Sequence, residues 1–456
     1  MKKVCIQGLG FVGSAMSIAV ALANDENGPK FDVVGVDLPT KNGNERVKSI
    51  NSGIFPFKTT DNDLLSSLEK VKLQGNLRAT TDKSVYLDAD IIIVDIHLDI
   101  SFKDDKPELE MAPMKSAIVE IADLIKPQAL ILIETTVPPG TCEKIISPCL
   151  EAQLKKRGMR QEDVYLAHSY ERVMPGKDYL KSIIEYPRVF SGRDEKSADK
   201  CQEFLEEVLD TSIHSLTRLS STTATETAKV MENTYRATNI AFIDEWTKYA
   251  DSVNIDLFEI IEAIRKRPTH SNIMFPGLGV GGYCLTKDPT FTPAASRDFF
   301  GLDLDFPFSK LAVQTNNRMP FHTLDKLKKL MGNELNNKHI LICGVTYRED
   351  VADTRYSASE ILVRELKRTG ANVSFHDPLL DYWEEMKMEG MTEIPKVEEY
   401  DAIVLAVGHT EYKGLQSSFW LGSKLILDAN MVLTNTQIQE IRKLGIKIES
   451  IGRGRN

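Results

Sequence analysis

A glycine signature close to the first residue constrains this chain more than any other stretch. Val4-Cys5-Ile6-Gln7 reads as a short apolar strand and runs directly into Gly8-Leu9-Gly10-Phe11-Val12-Gly13. Small and apolar residues follow from Ser14 to Ala23, the composition of a packed helix. A second apolar strand at 31–36 ends in Asp37. A GxGxxG alone can be a chance turn. Set in the order strand, glycines, helix, strand, acid, it fits a dinucleotide site. The glycines permit a tight turn and close approach of a pyrophosphate, which the helix N-terminus attracts, and the acid takes ribose hydroxyls. Asp37 lies beyond the usual spacing of about 20 residues, so the polar stretch 24–30 is expected to be a looped insertion. An acid at that position favours NAD over NADP because it would repel a 2′-phosphate, although Lys41 nearby counts the other way.

Strands and helices go on alternating. Residues 89–95 read as a buried parallel strand, 114–125 as a helix and 129–133 as the next strand. That strand leads into Glu134-Thr135-Thr136-Val137-Pro138-Pro139-Gly140-Thr141. Hydroxyls there stand where open α/β sheets bind ligands, or they are ordinary helix-capping chemistry. A strand at 164–170 ends at Glu171-Arg172-Val173-Met174-Pro175-Gly176. Glu171 is either a site carboxylate or a surface acid beside Arg172. After Gly192 the alternation is expected to stop, with helix at 197–209 and one long helix at 224–253. On the latter, Lys229 and Asn233 are four apart and share a face. They either converge on one oxygen atom or form a solvated surface pair. Met231, Tyr235 and Phe242 mark an apolar face to be buried against a neighbour.

Residues 257–264 read as helix and end in Arg265-Lys266-Arg267. Then comes Pro276-Gly277-Leu278-Gly279-Val280-Gly281-Gly282-Tyr283-Cys284-Leu285-Thr286-Lys287-Asp288-Pro289. A cysteine after a glycine loop and close to a cation suits a thiolate nucleophile. The competing reading is a tight turn beside a structural cysteine. An amphipathic helix at 308–331 bridges to a second α/β unit, with strands at 339–343, 371–377, 402–407 and 425–428, a helix at 357–368 and a helix stop at Gly370. This second unit lacks a GxGxxG.

The 456-residue length calls for two or three domains. A net charge of −10 argues against nucleic-acid or anionic-membrane partners, and no apolar run is long enough to span a bilayer. Six scattered cysteines without a CxxC fit a reducing cytoplasm, with no disulfide framework and no metal site.

Taken in order, these strings resemble the nucleotide-sugar 6-dehydrogenases, that is, UDP-glucose dehydrogenase and its UDP-N-acetylhexosamine relatives. The strings are Gly8-x-Gly10-x-x-Gly13, 134–141, 171–176, Lys229-Val230-Met231-Glu232-Asn233-Thr234-Tyr235-Arg236, Gly279 to Cys284 with Lys287-Asp288, and Asp353-Thr354-Arg355. The resemblance implies an α/β chain of two doubly wound, Rossmann-like domains joined by a helical central domain with a long helix. The expected bounds are 1–200 for NAD, 201–318 for the centre and 319–456 for the UDP-sugar. It implies four-electron oxidation of the sugar C6 alcohol with two NAD. Cys284 would hold the aldehyde as a thiohemiacetal and then a thioester. Lys229 and Asn233 would steady the oxyanion, Asp288 would orient or deprotonate water with Lys229, and Glu171 would be the base for hydrolysis. Thr136 would lie near the nicotinamide, with Gly8, Gly10, Phe11, Val12, Gly13 and Asp37 as the remaining cofactor residues. Arg172, Gly281, Tyr283, Lys287 and Arg355 would join Lys229 and Asn233 on the substrate, and Arg267 would reach into a partner subunit's site.

Three places depart from the family pattern. Val94-Asp95-Ile96-His97 replaces the usual Val-Pro-Thr-Pro, and Tyr283 and Thr286 stand where relatives carry other residues. The 171–176 and 232–236 strings look more like the N-acetylhexosamine branch, and Lys287 more like the UDP-glucose branch. A UDP-N-acetylhexosamine is the favoured substrate and UDP-glucose the alternative. A two-electron β-hydroxyacid-type dehydrogenase shares GxGxxG and Lys-x-x-x-Asn but has no use for Cys284. A nucleotide sensor without turnover would have no need to keep Lys229, Asn233, Cys284 and Asp288. The apolar face of the long helix predicts at least a homodimer.

Overall fold

The computed structural model describes residues 1–103, 106–173 and 175–454; Met174 of the 171–176 string lies outside them. The chain divides into two compact units, Met1–Glu232 with Thr290–Asp305, and Asn233–Pro289 with Phe306–Asn456.

The first unit is built on an eight-stranded sheet. Its strands are β1 (Lys2–Gln7), β2 (Phe31–Val36), β3 (Leu77–Thr80), β4 (Ile91–Val94), β5 (Leu130–Ile133), β6 (Tyr165–Tyr170), β7 (Val189–Gly192) and β8 (Thr217–Arg218). Their spatial order is β8-β7-β6-β5-β4-β1-β2-β3. All neighbours are parallel except β6 and β7. The order reverses between β1 and β4, the switch point at which such sheets bind ligands beyond their strand ends. Both faces are covered. Val4 and Ile6 of β1 pack into one apolar cluster, and Cys5 between them packs into the other. That explains why the strands read as near-continuous apolar runs.

The expected alternation does not stop at Gly192. β7 turns back antiparallel to β6, and β8 re-enters the sheet after a helix at Glu195–Val208. Residues 24–30 are more ordered than an open loop, because Asn24–Asp25 pairs with Gly28–Pro29 as a minimal hairpin. Gly28 supplies its positive φ of 111°. The helices at Lys41–Ser52 and Asn62–Gln74 lacked an apolar stripe strong enough to stand out. Their ends are set by caps, Thr40 and Asp61 at the start and Gly53 and Gly75 at the finish.

The second unit holds a five-stranded parallel sheet of β9 (His339–Cys343), β10 (Asn372–His376), β11 (Ala402–Leu405), β12 (Leu425–Asp428) and β13 (Lys447–Ser450), ordered β10-β9-β11-β12-β13. Ala358–Arg368 packs on one face and Asn435–Lys443 on the other. β13 has too few apolar residues to stand out in the sequence; pairing with β12 makes it a strand. Gly370 follows the first of these helices with φ 82°, as its reading as a stop requires. The long helix runs from Thr222 to Val253 and a second one from Pro307 to Leu330.

Candidate active site

In the first unit the glycine motif has distinct jobs at each position. Gly8 has φ 100°, and a Cβ there would stand 2.5 Å from the Asp95 carbonyl oxygen. A Cβ on Gly13 would stand 1.9 Å from the Gly8 oxygen, so the first turn of helix Phe11–Leu22 sits tight on the strand end. Gly10 caps that helix, and nothing lies within 4 Å of the Cβ it lacks. Phe11 stacks on Phe57 with ring centroids 4.1 Å apart, and Val12 is half-buried. Asp37 follows β2, where its carboxylate accepts from the Leu38 N–H at 2.7 Å and pairs with Arg46 at 3.2 Å.

The ends of β4, β5 and β6 carry acids. Glu171 follows β6, and its carbonyl oxygen accepts from Lys229 Nζ at 2.7 Å, with the Glu171 carboxylate 3.6 Å from the same nitrogen. Lys229 is 7% exposed. Of the two readings of Lys229, the solvated one does not hold: the side chain is buried, held at the sheet end by Glu171. The Glu171 carboxylate also accepts from the Val173 N–H. Arg172 donates from Nε to Glu232 at 3.2 Å and from Nη1 to the Pro187 oxygen at 2.7 Å, and Tyr170 donates to Glu232 at 3.0 Å. Within this unit Arg172 thus fastens the strand end to the long helix. Thr136 is half-buried in the turn after β5. That turn is held by Glu226, whose two oxygens accept from the Gly140 and Cys142 N–H groups at 2.6 and 2.8 Å. His168 is fully buried and bonded to Thr225 at 2.7 Å. Burial, with Lys229 near, pushes its pKa down to about 3, so the ring is neutral.

In the second unit Asn233 Nδ2 donates to Asp288 at 2.7 Å, and Lys287 stands 3.4 Å from the other Asp288 oxygen. Asp288 and Lys287 are both buried. Cys284 is exposed on the short helix Tyr283–Lys287, which Gly282 caps with φ 77°. Arg236 lies within electrostatic reach of Cys284. Arg355 places its guanidinium 4.2 Å from the Tyr283 ring centroid and bonds Asp353 at 2.6 and 2.8 Å. The carbonyl oxygen of Arg355 accepts from the Gly282 N–H at 3.2 Å. Arg267 is exposed at the cap of a short turn, Pro268–His270.

Four glycines, Gly277, Gly279, Gly281 and Gly282, precede Cys284. Close packing requires glycine at each of them. Added Cβ atoms would stand 2.7 Å from the Tyr356 oxygen at Gly281 and 2.8 Å from the Tyr347 ring at Gly282. At Gly279 and Gly277 they would meet Ala358 at 2.8 Å and Asn430 at 2.7 Å. The loop presses on the segment that carries Tyr347, Asp353 and Arg355.

The chain matches the UDP-glucose/GDP-mannose dehydrogenase family in three blocks: its NAD binding domain over residues 2–212, its central domain over 223–318 and its UDP binding domain over 341–435. It belongs to this family. Among family relatives, the UDP-N-acetyl-D-mannosamine dehydrogenase of Methanocaldococcus jannaschii is 32% identical, over 100% of this chain and 97% of that protein. The UDP-N-acetyl-D-glucosamine 6-dehydrogenase of Pseudomonas aeruginosa is 29% identical, over 91% and 92%. The solved structure of the Pyrococcus horikoshii UDP-N-acetylmannosamine dehydrogenase aligns with a TM-score of 0.82 at 28% identity, covering 99% of each chain.

The family's cofactor is NAD, and the first unit suits it. Gly10 leaves open space at a helix N-terminus, where a pyrophosphate would fit, and the Asp37 carboxylate directly after β2 would be an acceptor for ribose hydroxyls. Among the described residues, no group of three or more His, Cys, Asp and Glu is set to hold a metal ion, and no helix is long and apolar enough to cross a membrane. Reading the sequence missed Glu226, Glu232, Arg188 and Tyr347. Glu226 had a signal, since it stands three residues before Lys229 on one helix face. Arg188, Glu232 and Tyr347 had none, because their partners are remote in sequence.

Proposed function

We propose that this family member oxidises the C6 hydroxyl of a UDP-N-acetylhexosamine to the carboxylate, with UDP-N-acetyl-D-mannosamine the first candidate. Support for the sugar class is the run of relatives matched along nearly their whole length. Two NAD molecules, bound in turn, would supply the oxidising power, the first for conversion of the C6 alcohol to the aldehyde and the second for the later oxidation. The observation that carries the four-electron reading is Cys284, exposed at the head of the helix that ends at Lys287, with Asp288 directly after it bonded to Asn233.

The remaining roles are those that the family resemblance implies. The Cys284 sulfur adds to the C6 aldehyde carbon, and the carbonyl oxygen becomes the hydroxyl of a thiohemiacetal. Oxidation of that carbon leaves a thioester, and water then displaces the sulfur to release the acid. Asn233 is a fixed amide donor because Asp288 holds it, and Lys229 is a fixed cation because Glu171 holds it. Fixed donors of this kind stabilise a developing oxyanion without reorganisation. Asp288 orients the attacking water or takes its proton, Glu171 serves as base for thioester hydrolysis, and Thr136 faces the reacting end of the cofactor. Arg172, Gly281, Tyr283, Lys287 and Arg355 are proposed to contact the substrate, and Arg267 to reach a partner subunit's site.

The proposed domains are 1–200, 201–318 and 319–456. The working form is proposed as a cytoplasmic homodimer or larger homo-oligomer. Met231, Tyr235, Phe242, Trp246 and Tyr249 are all exposed along the long helix, an apolar stripe that a second copy would cover.

The test is an NADH-coupled screen of UDP-sugars with products identified by mass. Two NADH per UDP-N-acetylhexosamine and no uronic acid from Cys284→Ser are expected. One NADH per sugar, or a Cys284→Ser enzyme that makes uronic acid at the wild-type rate, refutes the covalent route. Preference for UDP-glucose refutes the sugar assignment alone.

A further inference from the structure

The Val94-Asp95-Ile96-His97 departure places an acid at the end of β4, and the first unit shows what surrounds it. The Asp95 N–H donates to the Gln7 carbonyl at 2.8 Å, and the Asp95 Cβ is 3.3 Å from the Cβ position at Gly13. Asp95 therefore packs on the glycine motif at the β1/β4 switch point. Across the sheet, Glu134 follows β5. It is fully buried and accepts from Arg188 Nη1 at 2.6 Å. Val94 pairs with Ile133 across β4 and β5, so Asp95 and Glu134 leave adjacent strand ends side by side, close enough for each carboxyl to act on the other's charge. Asp95 Oδ2 and Glu134 Oε2 are buried without a conventional donor.

Two carboxylates cannot hydrogen-bond, because neither has a hydrogen to give. One proton between them satisfies both. The charges agree with this count. Arg188 is a single cation facing two acids, and Glu171, the third acid near the pair, is matched by Lys229. His168 on β6 is neutral, and Cys201, facing Arg188 and Glu134 from the helix Glu195–Val208, has its thiol pushed up by burial and so stays protonated. Burial, with the charges of Glu134 and Glu171, holds Asp95 well above the usual carboxylate range, and burial also raises Glu134. Arg188 bonds Glu134, so Asp95 is the member that keeps the proton. A further acceptor, Gln7 Oε1 at the end of β1, is buried and lacks a partner at the same sheet edge.

We infer that Asp95 and Glu134 hold one shared proton beside the glycine motif and release it when the oxidised, but not the reduced, dinucleotide is bound. The oxidised nicotinamide ring carries a positive charge and the reduced ring does not, whereas the pyrophosphate charge is common to both; Thr136, the residue proposed beside that ring, stands two residues after Glu134, which sets the ring on the side of the pair. A nearby cation favours the doubly ionised pair. Proton release is then linked to cofactor redox state, and oxidised-over-reduced preference rises with pH, by at most about tenfold per pH unit for one proton. This inference rests on the assignment of NAD to the first unit.

The experiment is calorimetric titration of the full chain with NAD+ and, separately, NADH near pH 7, in two buffers of different ionisation enthalpy. Release on the order of half a proton or more is expected with NAD+ and close to none with NADH. Infrared difference spectra should show loss of a protonated-carboxyl stretch on adding NAD+. Asp95→Asn, which keeps the neutral hydrogen-bonding shape, should bind both forms and show neither signal. Equal proton release by the two forms in the wild type overturns the inference, and this comparison decides even if the variant fails to fold. Undiminished release from a folded Asp95→Asn protein overturns it as well. A chain that binds neither nucleotide overturns the NAD assignment beneath it.

Discussion

Glu226→Gln should change the pH dependence of stability more than stability itself. Glu226 is fully buried on the long helix, and its two oxygens each accept one backbone N–H, from Gly140 and from Cys142. Burial raises its pKa from 4.5 to about 7, although the bonds to Cys142 and Gly140 work against that. A carboxyl with a raised folded pKa binds its proton more tightly when folded. The stability this contributes is full below pH 4.5 and is lost as pH rises toward 7. At roughly 1.4 kcal/mol per pKa unit the loss is about 3 kcal/mol. A glutamine does not titrate. Its single amide oxygen can accept one of the two N–H groups, and its NH2 confronts the other, at a cost of about 1–3 kcal/mol for the unpaired donor. The variant should therefore be less stable than wild type by that amount at pH 5. It should be about equal to it, or slightly more stable, at pH 8. Denaturant unfolding at a series of pH values, with protein concentration held fixed, measures the difference. Hydrogen exchange in the peptide covering Gly140 and Cys142 reads the local bond directly. A wild-type-minus-variant difference that stays constant from pH 5 to 8 would refute the reasoning.

Gly13→Ala and Gly10→Ala should part company. At Gly13 the new methyl collides with the Gly8 oxygen, an overpacking cost of about 1–3 kcal/mol in stability, whereas at Gly10 it meets no protein atom and should leave the unfolding midpoint unchanged. Both should weaken NADH binding by about tenfold or more, read by fluorescence titration; a Gly10→Ala protein that binds NADH as wild type does would remove the pyrophosphate from that spot. Trp246→Glu, in the middle of the exposed stripe, should yield a monomer by light scattering with the fold intact by circular dichroism. An unchanged oligomer would move the contact elsewhere.

Much of the candidate site was legible because its residues are close in sequence or lie on one regular element. The glycine motif, Lys229 with Asn233, and Cys284 with Lys287 and Asp288 are all of this kind. The Glu134-Thr135-Thr136 turn was visible as a strand end, but not the buried carboxylate of Glu226 that shapes it. Its place three residues before Lys229 hinted at a role but not at this one, because Glu226 is more than eighty residues from Gly140 in the chain. Arg172 shows the converse. The family resemblance implies a substrate role for it, and the structure adds what the sequence could not show, its bonds within the unit to Glu232 and Pro187.

The sequence by itself determined the two sheets, the dinucleotide turn and the family, because these rest on periodicity and on motifs that short-range backbone geometry imposes. Tertiary structure alone decided how each polar group is paid for inside a low-dielectric interior. It made Lys229 a buried cation held by Glu171, and set the glycines before Cys284 against Tyr347. It also put Asp95, at first only a break in a pattern, beside Glu134, which Arg188 bonds. A residue's charge state depends on what surrounds it in space. Two acids thirty-nine positions apart share a proton only once β4 and β5 lie side by side.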